Sequence, residues 1–220
     1  MNAAILRNPA AAARERYDLV AIGGGFFGAS LTLEAARRGL KTLLLERDDF
    51  GGATSWASLR IVHGGLRYLQ SMDLPRYRES VGERRWFMQH FPDLVRPLRC
   101  LMPLYGDGLR KPAVFRTAMK LNDALSAHRN VGVPPESHLP AGAMLSPDDT
   151  AARFAAVDRR GLLGGAQWWD GRMTCSPRVL VELLRWACAA GATALNYVEA
   201  AGLLSENGQV AGVRGVDRRT

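Results

Sequence analysis

Residues 18–28 read DLVAIGGGFFG, a short apolar run that breaks into three consecutive glycines and a fourth at Gly28. Gly23, Gly25 and Gly28 satisfy the spacing G-x-G-x-x-G. Each position has a physical task. The first glycine permits a tight turn, the second lets backbone approach a pyrophosphate, and the third lets a helix lie close to a strand. The pattern carries this meaning only when a buried strand precedes it and a helix follows. Asp18–Ile22 supplies the strand, and residues 26–38, with Ala29, Leu31, Leu33, Ala35 and Ala36, supply the helix, with Gly39 where a C-terminal glycine belongs. Lys41–Glu46 then reads as a second buried strand ending in an acid placed for a ribose hydroxyl pair. These elements form the first βαβ unit of a doubly wound parallel sheet, a Rossmann-like α/β domain of the glutathione-reductase-like kind that binds FAD or NAD(P). The adenosine half is common to both dinucleotides, so the fingerprint alone leaves the choice open.

Residues 50–69 are rich in Gly, Ser and Thr and read as an extended connection with a functional purpose. Asp73 and Pro75 open a helix to about Phe91, with Tyr77, Val81, Met88 and Phe91 at helical spacing. Residues 98–105 read as a strand, Pro112 opens a helix carrying Phe115, Met119 and Leu125, and 130–150 read as loop. Ser176-Pro177 reads as an N-cap followed by a first-turn proline, opening a helix that runs to Gly191. A strand is expected over Thr193–Val198, and Asn207-Gly208 between two apolar runs predicts a β-hairpin. The expected organisation is a flexible tail over 1–16, a discontinuous cofactor domain over 17–92 and 170–220, and part of a substrate or cap domain over 93–169.

No stretch is apolar enough for a bilayer span, and residues 1–16 lack the continuous apolar centre of a secretory signal. Cys100, Cys175 and Cys188 lack the spacing of a metal site or disulfide framework, which points to a reducing, cytoplasmic compartment and no metal. The net charge is +8, almost all of it from Arg, since the lysines are Lys41, Lys111 and Lys120 alone. That balance suits an anionic substrate or peripheral contact with the inner face of an anionic membrane, and the amphipathic stretch Arg110–Lys120 reads either as a lipid-facing helix or as an ordinary surface one. No nucleic-acid module is present, so that partner is excluded from the expectations.

The segment Ala53–Leu69, ATSWASLRIVHGGLRYL, resembles the block that follows the first βαβ unit in FAD-dependent glycerol-3-phosphate dehydrogenases. The family pattern has Thr-Ser, a Ser-Lys pair and I-H-G-G-L-R-Y-L; here stand Thr54, Ser55, Arg60 and Val62-His63-Gly64-Gly65-Leu66-Arg67-Tyr68-Leu69. Asp170-Gly171-Arg172 through ALNYVEAAGLL resembles the family's D-x-R segment, following helix and N-Y-x-E strand. The likeness covers most of Tyr17–Val216 and is loosest over 105–165.

The resemblance implies that FAD lies along Gly23, Gly24, Gly25, Phe26, Phe27 and Gly28, with Glu46, Arg47, Thr54, Ser55 and Val198. It implies a flavin ring near Arg60, Ile61, His63, Gly64, Gly65 and Leu66, and a catalytic group of His63, Arg67 and Tyr68. The implied chemistry is oxidation of glycerol 3-phosphate to dihydroxyacetone phosphate, hydride passing to flavin and electrons to a quinone or other acceptor. Arg offers a planar donor fork to phosphate oxygens. His63 read without the resemblance is as easily a backbone-bonded residue in a Gly-flanked turn. The sequence departs from the family at Leu59-Arg60, Trp56 and Phe26-Phe27, which leaves a related hydroxy substrate open. The family's later histidine, further phosphate-binding bases and closing Gly-rich motif would fall past Thr220, so the 220 residues alone are expected to bind flavin without turnover. An NAD-dependent enzyme is the remaining alternative.

Overall fold

The computed structural model describes residues 4–106, 108 and 111–219. In chain order the elements are α1 (Pro9–Ala12), β1 (Leu19–Ile22), α2 (Phe26–Arg37), β2 (Thr42–Leu45), β3 (Ile61–Val62), α3 (Leu66–Gln70) and α4 (Leu74–His90). There follow β4 (Val95–Leu104), α5 (Pro112–Leu125), β5 (Ala143–Leu145), α6 (Pro147–Arg153) and β6 (Gly164–Met173). The chain closes with α7 (Ser176–Ala189), β7 (Thr193–Leu195), β8 (Val198–Glu206) and β9 (Gln209–Asp217). Two compact units result, residues 1–59 with 175–220, and residues 60–174.

In the first unit β1, β2 and β7 form a parallel sheet in the order β1-β2-β7. The central strand β2 is buried at every position, so its Leu43, Leu44 and Leu45 each contribute about 1.5–3 kcal/mol of burial free energy. Helices α2 and α7 pack against one another through small and branched side chains, Ala29, Leu33 and Ala36 with Val179, Leu183 and Ala187 all buried. Gly39, at φ +83°, follows the α2 C-cap Arg38 and lets the chain reverse into β2. The hairpin is found where Asn207-Gly208 predicts it, both residues with positive φ, as the turn that matches strand twist requires.

In the second unit β6 is the middle of an antiparallel sheet: β4 runs the length of one edge, while β3 and β5 share the other. The expected loop over 130–150 contains β5 and α6, the latter capped by Ser146, whose hydroxyl accepts from the Asp149 amide at 3.0 Å. Strand β6 has no periodic signature, because Gly164, Gly165 and Gly171 occupy it for steric reasons. A Cβ at Gly171 would press on Val95 and Val62 of the flanking strands.

Several expectations are corrected. Cys175, not Ser176, holds the N-cap position of α7 and makes no side-chain cap; the Ser176 hydroxyl is buried and donates to the Ser55 carbonyl at 3.4 Å. The tail is tied down: Ala12 is buried with Leu43, Leu45 and Leu195, and Arg7 pairs with Asp217 and donates to the Asn196 carbonyl. The connection over 50–69 is a series of turns leading into β3 and α3. The chain divides at 59/60 and 174/175 rather than 92/93 and 169/170, since β3 pairs with β6 and α4 packs on β3, β4 and β6. Of the stretch Arg110–Lys120, Arg110 lies outside the described residues, and the rest belongs to α5, which buries Phe115 and Met119.

Candidate functional site

The glycine fingerprint builds a cleft of about 710 Å³ in the first unit. Gly23 takes φ +106° and donates to the Leu45 carbonyl at 2.8 Å, turning the chain off β1. A Cβ on Gly28 would overlap the Gly23 carbonyl oxygen, which is why the third glycine is needed for α2 to start so close to the strand. The Gly24 amide donates to Glu46 Oε2 at 2.7 Å, and the Asp48 amide donates to Oε1 at 2.8 Å. Glu46 therefore joins the turn to the end of β2. The Phe26 amide donates to Ser55 Oγ at 3.0 Å, while Gly25, the N-cap of α2, brings no side chain of its own.

At the start of a helix the first amides have no intrahelical acceptor, and the dipole is positive there. The cleft mouth is formed by Gly23, Gly25, Glu46, Arg47, Thr54 and Ser55, with Phe26 half-buried and Phe27 fully in solvent. Arg47 pairs with Asp48 at 3.2 Å. Val198 is placed otherwise than as a lining residue. It is buried in the core, its amide donating to the Glu46 carbonyl at 2.8 Å, and its neighbours Glu199 and Ala200 face a smaller groove beside Glu46 and Arg47. The arrangement suits a diphosphate at a helix N-terminus with an adenosine alongside.

Arg60, Ile61, His63, Gly64, Gly65, Leu66, Arg67 and Tyr68 all belong to the second unit. There a cavity of about 500 Å³ is lined by His63, Arg67 and Tyr68 together with Met102, Phe115 and Trp168. The turn is tight: Gly65 has φ +77°, and a Cβ on Gly64 would overlap the guanidinium of Arg84. Arg67 is exposed and makes no ion pair among the described residues, so its charge is available to an anion. Arg60 has positive φ (58°), and Ile61 lies in β3 opposite Arg172.

Behind this turn sits Asp170, 5 % exposed, within β6. Its Oδ1 accepts from the Gly64 amide at 2.7 Å and from Arg84 Nη1 at 2.8 Å, and Nη1 also donates to the Trp169 carbonyl. Its Oδ2 accepts from Trp168 Nε1 at 3.3 Å and lies 3.6 Å from His63 Nδ1. Burial pushes the Arg84 guanidinium below its ordinary value, with the Asp170 charge opposing that. Burial also pushes the Cys100 thiol, beside Asp170, up to about 11.

Sequence reasoning misses Arg84 and gives Asp170 no role. The signal for Arg84 was present. Tyr77, Val81, Arg84 and Met88 are the buried stripe of α4, so a cation stands on an apolar face and requires a buried anion.

Three comparisons bear on this chain. The family described as FAD dependent oxidoreductase matches residues 18–220. A glycerol-3-phosphate dehydrogenase from Synechocystis sp. is 41 % identical over 187 residues, 85 % of this chain and 32 % of that protein. An alpha-glycerophosphate oxidase from Lactococcus lactis is 34 % identical over 209 residues, 94 % of this chain and 33 % of that protein. The chain thus spans about a third of the length of these curated relatives. The crystal structure of a glycerol-3-phosphate dehydrogenase from Bacillus halodurans complexed with FAD superposes with a TM-score of 0.63 at 26 % identity, covering 93 % of this chain and 31 % of that one.

Proposed function

Because the chain belongs to the FAD-dependent oxidoreductase family, we propose that it binds FAD and contributes to the oxidation of glycerol 3-phosphate or a closely similar polyol phosphate. The observation that carries the substrate is the cavity of the second unit, where Arg67, without an ion pair among the described residues, stands with His63 and Tyr68 among Met102, Phe115 and Trp168. An anionic head and a secondary alcohol are what such a lining complements. The fit to FAD rests on the glycine turn: a backbone left bare of Cβ atoms at Gly23, Gly25 and Gly28, beside the first-turn amides of α2, can take a pyrophosphate.

Gly23–Gly28, Arg47, Thr54 and Ser55 would hold the cofactor in the first unit, with Glu46 near the ribose, and Arg60, Ile61 and His63–Leu66 would serve its flavin portion. When bound, the isoalloxazine supplies a hydride acceptor. Arg67 would hold the phosphate through its donor fork, Tyr68 would orient the polyol, and His63 would take the hydroxyl proton, a role that contributes about 10²–10⁴ in rate. Trp168, Phe115 and Met102 would limit water. A quinone is the acceptor we favour, on the resemblance in the 53–69 block. The basic balance supports peripheral contact with an anionic cytoplasmic membrane; no described helix is long and apolar enough to cross one.

Titration of the purified chain with FAD, followed by flavin fluorescence, and with glycerol 3-phosphate, followed by tryptophan fluorescence, tests both halves. Saturable binding of FAD and of glycerol 3-phosphate, but not of glycerol, is expected. Affinity for NAD with none for flavin would overturn the cofactor assignment, and equal response to glycerol would overturn the phosphate one.

A further inference from the structure

We infer that Asp170, held by Arg84, is a positioning residue that sets the His63 imidazole with its proton on Nδ1 and its Nε2 free to accept a proton. The inference deepens the proposed function, on which it rests for the meaning of His63. It begins from the unequal use of the two carboxylate oxygens. Oδ1 is committed to the fold, taking the Gly64 amide at 2.7 Å and Arg84 Nη1 at 2.8 Å. Those two bonds fix both the carboxylate plane and the backbone of the residue next to His63. Oδ2 is left on the cavity side, where Trp168 Nε1 at 3.3 Å and His63 Nδ1 at 3.6 Å face it.

The 3.6 Å separation to His63 is longer than a hydrogen bond. A small rotation of an exposed imidazole closes it, because the carboxylate itself cannot move: its side chain and that of Arg84 are 7 % and 5 % exposed. A carboxylate beside one ring nitrogen selects the tautomer protonated there. The other groups around the pair are consistent with this. Arg84 from α4 is a fixed cation bonded to the far oxygen, and Trp168 can only donate. Cys100 from β4 keeps its proton, while Arg67 and Tyr68 from α3 line the same cavity.

The geometry also explains Gly64. With its Cβ position taken by the guanidinium, any larger residue would displace Arg84 and release the carboxylate.

Nitrogen-15 labelling of histidine in the whole chain, read by long-range proton–nitrogen correlation above the pH range of imidazole protonation, tests the inference without turnover. The chain has four histidines, and the His63 signals are identified by their loss in His63→Gln. His63 is expected to be mainly the Nδ1–H tautomer, and Asp170→Asn is expected to reduce that form from majority to minority while FAD affinity is retained. A majority Nε2–H form in the unsubstituted protein refutes the inference outright, even if the Asp170 variant does not fold. So does an unchanged tautomer in a folded Asp170→Asn. Failure of the FAD or glycerol 3-phosphate titrations would instead count against the proposed function and leave the tautomer result to be read by itself.

Discussion

Replacing Arg84 with Met keeps much of the volume and removes the charge, so it isolates what the buried ion pair does. Asp170 would then keep its Gly64 and Trp168 donors but lose the cation 2.8 Å away, in a place where both side chains are almost out of solvent. Breaking a buried pair from one side costs about 3–5 kcal/mol, most of it the penalty of stranding the other charge. For a chain of this size each kcal/mol lowers the thermal midpoint by about 2–4 °C, so a fall of roughly 10 °C is expected. Thermal melts by circular dichroism measure it. Arg84→Met/Asp170→Asn should recover part of the loss, because the stranded charge is gone, and the cycle should give a coupling of about 1 kcal/mol or more. A single-variant shift under about 2 °C, or a double variant that loses the sum of both singles, would show that the pair is solvated and holds nothing.

Gly28→Ala places a methyl group on the Gly23 carbonyl, and the backbone must move; a rise of about 10-fold or more in the FAD dissociation constant and a stability loss of about 1–3 kcal/mol are expected from fluorescence titration and melts. Arg67→Ala should weaken glycerol 3-phosphate binding by about 1.5–3 kcal/mol with FAD affinity unchanged, since a charge-assisted bond is removed from one site only. Cys100 is held protonated to about 11 in the folded chain against 9.0 for the ordinary thiol. Its folded-state value is raised, so its contribution is present below pH 9.0 and is lost as pH climbs to about 11; the alkaline fall in midpoint should be smaller in Cys100→Ala.

What the sequence reveals and what it hides follow from the range of the interactions. The first βαβ unit is legible because the glycine turn, the apolar strands and the helix between them are decided within a few residues. The Asn207-Gly208 hairpin and the Asp73 cap are local in the same sense, the latter accepting from the Arg76 amide. Strand β6 is not legible. Its glycines and paired tryptophans become a strand only because β4 flanks it along one edge and β3 and β5 along the other. The site divides likewise. His63, Arg67 and Tyr68 stand in one short stretch of sequence and line one cavity, whereas the Arg84–Asp170 pair joins residues that only the fold brings together. Ser176 reads as a cap in sequence because a buried hydroxyl with a distant carbonyl partner looks there like any serine before a proline.

The two ends of the second unit meet, the Met173 amide donating to the Arg60 carbonyl at 2.8 Å. That one contact bears on how the chain assembles. Strand β7 must find β2 across all of residues 46–192, a long search if the intervening chain is random. Once 60–174 has folded, its ends act as neighbours, and the loop to be closed shrinks from roughly 150 residues to an effective ~30, about two halvings and so about 1.2 kcal/mol of closure entropy. The inserted segment should therefore fold early and hasten the pairing of β2 with β7. By the same token it should be replaceable by a short turn without unthreading the parallel sheet whose strands flank it in sequence.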